Sequence, residues 1–225
     1  MRYKIFGDKF PAVTIQFEAG ESVYTQSGGM SWMTNNFDMQ TNMRGGLMKG
    51  LGRVFSGESL FMATFTAQAP GAELTLASSF PGTILALEMN GSTQYIAQKS
   101  AFLCATHGVE LSTHVNRIGA GLFGGEGFIM QRLSGTGIVF VEVFGTLVEK
   151  VLQPGETLKV DTGNLALFES SVSYDVTTVK GFANVLFGGE GLFLSTVTGP
   201  GKVWLQTMSP SSFASQMIPF LPAKG

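Results

Sequence analysis

The chain has 225 residues, a formal net charge of −2 and only 14 lysines and arginines. That length suits one all-β domain or two ordinary ones, and the lack of any basic run argues against nucleic-acid binding, which needs phosphates neutralised. Apolar residues make up 44% and charged residues 13%, so the core is sizeable, the surface is charge-poor, and association that hides part of that surface is one route to solubility.

From the N-terminus, Met-Arg-Tyr-Lys-Ile-Phe-Gly-Asp lacks the apolar run of a signal peptide. The single cysteine, Cys104, excludes an intrachain disulfide and suits a reducing compartment. A cytoplasmic location is therefore expected. The longest apolar-rich stretch, 137–148, is interrupted by Glu142 and is too short to span a bilayer. It reads as a long strand or a strand pair.

The glycines punctuate the chain in a repeated way. A turn followed by an apolar strand reads Phe-Ser-Gly-Glu-Ser-Leu-Phe-Met at 55–62. It returns as Phe-Gly-Gly-Glu-Gly-Phe-Ile-Met at 123–130 and as Phe-Gly-Gly-Glu-Gly-Leu-Phe-Leu at 187–194. The central acids are Glu58, Glu126 and Glu190. A second glycine turn follows each time, at Pro70-Gly71, Thr136-Gly137 and Pro200-Gly201, and then an alternating strand. A third element aligns Glu18-Ala-Gly-Glu with Met89-Asn-Gly-Ser and Gln153-Pro-Gly-Glu. Glycine supplies the positive φ that tight turns need, and period-2 alternation marks strands with one buried face. The expectation is an all-β chain of three tandem units, about 1–80, 81–147 and 148–210, arranged about a pseudo-threefold axis as a single compact body, with a tail over 211–225. A short helix is expected at Ser211–Met217, where Ser-Pro-Ser-Ser can initiate it. The glycine-rich stretch from Asn42 to Arg53 reads as a loop or a short helical turn inserted in the first unit.

The segments Gly28-Gly-Met-Ser-Trp-Met, Gly57-Glu-Ser-Leu-Phe, Gly189-Glu-Gly-Leu-Phe-Leu and Thr198-Gly-Pro-Gly-Lys-Val-Trp-Leu-Gln resemble the bacterial and archaeal "altered inheritance of mitochondria" family, over about 3–210. The resemblance implies a fold like that of the tryptophan-RNA-binding attenuator protein, a short double-stranded β-helix, repeated within one chain. It also implies a homo-oligomer, a trimer. It supplies no catalytic residues.

Other motifs are weighed on the residues themselves. Gly119-Ala-Gly-Leu-Phe-Gly matches the dinucleotide fingerprint in letters, but no helix pattern follows it, and that helix must receive the pyrophosphate. Glu58, Glu126 and Glu190 either accept backbone N–H bonds at their own turns or, if the units are related by rotation, converge as a ring that holds a cation or a polar ligand. Cys104, His107 and His114 lack the spacing of a metal site, and Cys104 falls in the apolar run Ala-Phe-Leu-Cys-Ala, where a small buried thiol is ordinary. Met43, Leu47, Met48 and Leu51 lie among Arg44, Lys49 and Arg53 and give the loop the composition of a partner-contacting or membrane-contacting segment.

The functional expectation is a structural or interaction scaffold without enzyme activity, catalytic residues, metal or cofactor, whose main partner is itself. A small-molecule or lipid binder with a cavity inside a β-helix is the other reading. RNA binding by analogy with the attenuator protein is disfavoured by the charge.

Overall fold

A computed structural model of the chain describes residues 1–26, 29–43, 61–114, 130–178 and 193–220. The fold is all-β in these residues, with one α-helix among them. The first stretch of chain forms β1 (Arg2–Phe6), β2 (Ala12–Phe17), β3 (Ser22–Gln26), β4 (Trp32–Met33), β5 (Phe37–Met43), β6 (Phe61–Ala67) and β7 (Ala72–Ala77). The middle forms β8 (Gly82–Asn90), β9 (Tyr95–Gln98), β10 (Phe102–Thr106), β11 (Val109–His114) and β12 (Met130–Phe144). The last part forms β13 (Leu147–Leu152), β14 (Thr157–Asp161), β15 (Leu165–Glu169), β16 (Ser173–Thr178), β17 (Phe193–Thr198) and β18 (Gly201–Gln206), then helix α1 (Pro210–Met217). The helix begins one residue earlier than the sequence predicts, because Ser209 caps it and Pro210 fits the first turn.

The chain divides into two compact units. The first holds Met1–Gln94, Ser100–Leu111 and Leu133–Glu142. Its strands form one antiparallel sheet in the order β1-β2-β7-β4 and a second in which β5, β6, β3 and β10 follow one another. Alternation in the sequence decides which side chains go in. On β2, Val13, Ile15 and Phe17 are buried while Gln16 is exposed, and on β7 Leu74 and Leu76 are buried. These residues share one apolar core with Val23, Phe65, Leu103 and Phe140 of the other sheet. Each such side chain, fully buried, stabilises the fold by roughly 1.5–3 kcal/mol. Two buried polar side chains tie β3 into the unit: the Tyr24 hydroxyl donates to the Val109 carbonyl at 2.8 Å and the Thr25 hydroxyl to the Leu103 carbonyl at 2.6 Å.

The second unit holds Tyr95–Lys99, Ser112–Arg132 and Val143–Gly225. One sheet runs β13-β18-β15-β9, the other β14-β17-β16. Ile96, Leu152, Leu165, Phe168 and Val203 of the first sheet pack with Val160 and Val197 of the second. The rings of Phe168 and Tyr174 stack at 5.3 Å.

The same antiparallel pairings occur in both units. β2 pairs β7 as β13 pairs β18, β3 pairs β6 as β14 pairs β17, β5 pairs β6 as β16 pairs β17, and β4 pairs β7 as β15 pairs β18. The turns at Gly20 and Gly155 are also built alike. Their φ values are +83° and +79°, a region open to glycine at little cost. The following glutamate turns back in each: Glu21 accepts from the Glu18 N–H and Glu156 from the Gln153 N–H, both at 2.8 Å.

One local expectation differs. The sequence places a strand-separating turn at Thr136-Gly137, yet β12 runs unbroken through it. Gly135 and Gly137 take φ of +96° and +131°, and the Thr136 N–H donates to the Gly108 carbonyl at 2.9 Å. The glycines bend the strand without ending its pairing, as at a β-bulge.

Candidate functional site

A surface groove of about 580 Å³ lies on the outward face of β1, β2 and β7, lined by Arg2, Tyr3, Lys4, Phe6, Thr14, Gln16 and Glu73. Its construction follows from strand geometry. The two-residue period sets Arg2, Lys4 and Phe6 on one face of β1. The β1–β2 register then sets Arg2 opposite Gln16 and Lys4 opposite Thr14, and the β2–β7 register sets Gln16 opposite Glu73 and Thr14 opposite Thr75. Cross-strand hydrogen bonds fix the floor: Gln16 Nε2 donates to Glu73 Oε1 at 2.7 Å, and the Thr14 and Thr75 hydroxyls lie 2.7 Å apart. Two cations, one carboxylate and exposed aromatic rings suit a small amphipathic or anionic ligand. The alternation Arg-Tyr-Lys-Ile-Phe is the signal for this face in the sequence, but only the register with Gln16 and Glu73 makes it a groove.

The buried polar groups serve the fold. Glu142 is 5% exposed and accepts from the Ser78 hydroxyl and from the Ser79 N–H at 3.0 Å. Burial pushes its carboxyl above the usual carboxylate range, and the two hydrogen bonds oppose that push. In the second unit Gln98 and Gln206 hold the 3-10 turn Thr162–Asn164. Gln98 Nε2 donates to the carbonyls of Thr162 and Leu165 at 3.0 and 2.7 Å, and Gln206 Nε2 to that of Gly163 at 2.8 Å. No sequence motif announces these amides, because their partners are backbone carbonyls far along the chain.

The residues singled out from the sequence are distributed as follows. Cys104 is fully buried in β10, and burial followed by the Glu142 charge pushes its thiol up, away from the reactive thiolate. His107 lies against the Tyr24 ring at 6.0 Å. His114 Nδ1 is 3.3 Å from an Arg132 guanidinium nitrogen, and partial burial followed by the Arg132 charge holds its pKa down. No group of three metal-ligating side chains comes together among the described residues. Glu58, Glu126 and Glu190, the glycine pattern at 119–124 and the stretch 44–53 lie outside the described residues; Met43 ends β5. No helix among the described residues is long and apolar enough to cross a membrane.

Comparison with known proteins places this arrangement. A Streptococcus pyogenes protein of known crystal structure superposes with a TM-score of 0.80 at 30% identity, over 98% of this chain and 99% of that one. An uncharacterised protein of Streptococcus pyogenes serotype M6 is 33% identical over 223 residues, 95% of this chain and 88% of the relative. The model of the family described as mitochondrial biogenesis AIM24 matches residues 3–208. With nearly the whole length matched and the fold shared, the chain belongs to the AIM24 family.

Proposed function

We propose that the protein is a non-enzymatic scaffold that acts as a homo-oligomer, a trimer, in the cytoplasm. The observation that carries this reading is the set of large apolar side chains left in solvent on a charge-poor chain. Phe220 is 82% exposed, and Phe213, Met217 and Ile218 are exposed beside it on α1 and the turn that follows. Phe10, Met39 and Val151 are exposed elsewhere. Large apolar side chains left exposed in this number on a charge-poor chain are consistent with association sites.

The finer architecture belongs to the same reading. Three tandem attenuator-protein-like double-stranded β-helix units, about a pseudo-threefold axis, would put equivalent strands in equivalent settings. The recurrence of strand pairings and of the Gly20 and Gly155 turns supports it. Association through the Met43–Arg53 loop with a protein or membrane is a further part of the proposal, and nucleic acid is not among the partners. Light scattering on the native chain at micromolar concentration tests the reading. A mass at a multiple of 24.0 kDa is expected, and a clean 24.0 kDa species rules it out.

The second reading is a small-molecule binder, and the groove over Arg2, Lys4, Phe6 and Glu73 favours it. Here the ligand sits on a sheet face rather than inside a barrel. A native mass spectrum of protein from its host is expected to show an added small mass. That mass should be absent when Arg2 and Lys4 are both replaced by alanine, and its presence in that variant removes the groove from consideration.

A further inference from the structure

β1 is an added strand. In the first unit β2 pairs β7 as β13 pairs β18 in the second. β1 lies beyond β2 and antiparallel to it, with Arg2 opposite Gln16, Tyr3 opposite Ile15, Lys4 opposite Thr14, Ile5 opposite Val13 and Phe6 opposite Ala12. Among the described residues β13 ends its order with no strand beyond it, and β1 ends the order β1-β2-β7-β4. The first sheet thus carries one strand more than the second unit does at this edge. The far side of β1 presents a further row of N–H and C=O groups.

The side chains of β1 do not close the sheet. All five of its residues are exposed. Tyr3 and Ile5 lie on the core side, in register with the buried Ile15 and Val13, and the rings of Tyr3 and Phe140 meet edge to face at 5.0 Å. Yet Tyr3 and Ile5 are 40% and 36% exposed, and Phe6, on the outward side, is 39% exposed. The apolar core of Val13, Ile15 and Phe140 therefore runs out to an uncovered rim. On the outward side Arg2 and Lys4 stand two residues apart. Among the described residues neither has an ion-pair partner. The carboxylate in the Arg2 row, Glu73, is held by Gln16 Nε2 at 2.7 Å.

We infer that β1 takes an extended segment of a partner protein as its next strand, antiparallel to it, in which acidic residues two positions apart alternate with apolar ones. The acids face Arg2 and Lys4, and apolar residues face Tyr3, Ile5 and Phe6. Main-chain pairing along an exposed edge supplies affinity, and the alternate side chains supply selection. Directly opposed side chains have Cβ atoms about 4.5–5.5 Å apart, so each acid reaches its cation. The two cations blunt the edge against basic or wholly apolar strands and leave it open to an acidic one. A second copy of this chain does not supply the match, because its 16 acidic residues include no two that stand two positions apart. The occupant is a different protein, and the inference rests on neither the homo-oligomer reading nor the small-molecule one.

The test uses the full native chain and end-blocked, dye-labelled peptides with the core Val-Val-Glu-Val-Glu, followed by fluorescence anisotropy. Binding is expected. It should weaken about tenfold when both glutamates become glutamine, and further when both become lysine. An Arg2→Glu, Lys4→Glu variant with an unchanged far-UV spectrum is expected to reverse the preference and take the lysine peptide over the glutamate one. If that variant unfolds, the three peptides on the native chain decide alone. Strand pairing is read separately, by hydrogen exchange: the glutamate peptide should slow exchange of the β1 amides. Equal binding of the glutamate and lysine peptides by the native chain overturns the inference. Binding of the glutamate peptide with β1 exchange unchanged also overturns it, since charge alone then holds the peptide. No binding of the glutamate peptide overturns it too, and leaves the homo-oligomer and small-molecule readings standing.

Discussion

The buried Glu142 carboxylate accepts the hydroxyl of Ser78 at 2.5 Å across 64 residues of chain. The contact lies inside the first unit and is shared with the Ser79 N–H. Its pH behaviour follows from burial. Glu142 titrates above an ordinary glutamate when folded, whereas in the unfolded chain it titrates near about 4.3. Between those two values the folded chain holds a proton that the unfolded chain has released. Its contribution to stability is therefore present at low pH and is lost as pH rises through the folded pKa. Glu142→Gln keeps an acceptor for Ser78 and Ser79 and removes the titration. The variant is expected to gain stability relative to the native chain as pH rises from about 4 through the folded pKa, and then to hold a constant difference. Urea midpoints across that range check it, and a difference that does not change with pH contradicts it.

Tyr24→Phe removes the buried donor to the Val109 carbonyl while keeping the ring that stacks on Phe102 at 5.6 Å. The expected cost is about 1 kcal/mol, the net worth of one intramolecular hydrogen bond. A urea midpoint equal to that of the native chain would show that the carbonyl finds another donor.

Gln206→Ala is expected to cost more, about 2–3 kcal/mol. It removes the donor to Gly163 and the acceptor of the Phe144 N–H at 3.1 Å, both in the interior of the second unit. Gln206→Glu keeps the acceptor but not the amide donor, so it should lie below the native chain as well. Thermal unfolding of the three proteins gives the comparison.

Gly155→Ala separates conformation from packing. Nothing lies within 4 Å of the added Cβ, so the whole effect comes from φ of +79°. The cost is about 1–2 kcal/mol, and Gly20→Ala, equally open at φ +83°, should match it. Unequal losses at these two positions would contradict the common construction of the two turns.

Much of this fold can be read from the chain. Glycine at regular turns and alternation on β2 and β7 give an all-β chain and the inward faces of both strands. Ser209 and Pro210 give the one α-helix among the described residues. What the chain conceals is long-range. The groove exists because Arg2, Gln16 and Glu73 fall in one register, and register is a property of pairing between distant strands. Gln98 and Gln206 look like surface amides until their backbone partners are known. The Gly-Glu turns around Glu58, Glu126 and Glu190 are the plainest repeat in the sequence, and they lie outside the described residues.

Sedimentation velocity of the native chain over a range of micromolar concentrations is the sharpest test of the scaffold reading. A discrete species heavier than one 24.0 kDa chain is expected, with a share that grows with concentration. A single boundary at the mass of one chain, unchanged over that range, would contradict it.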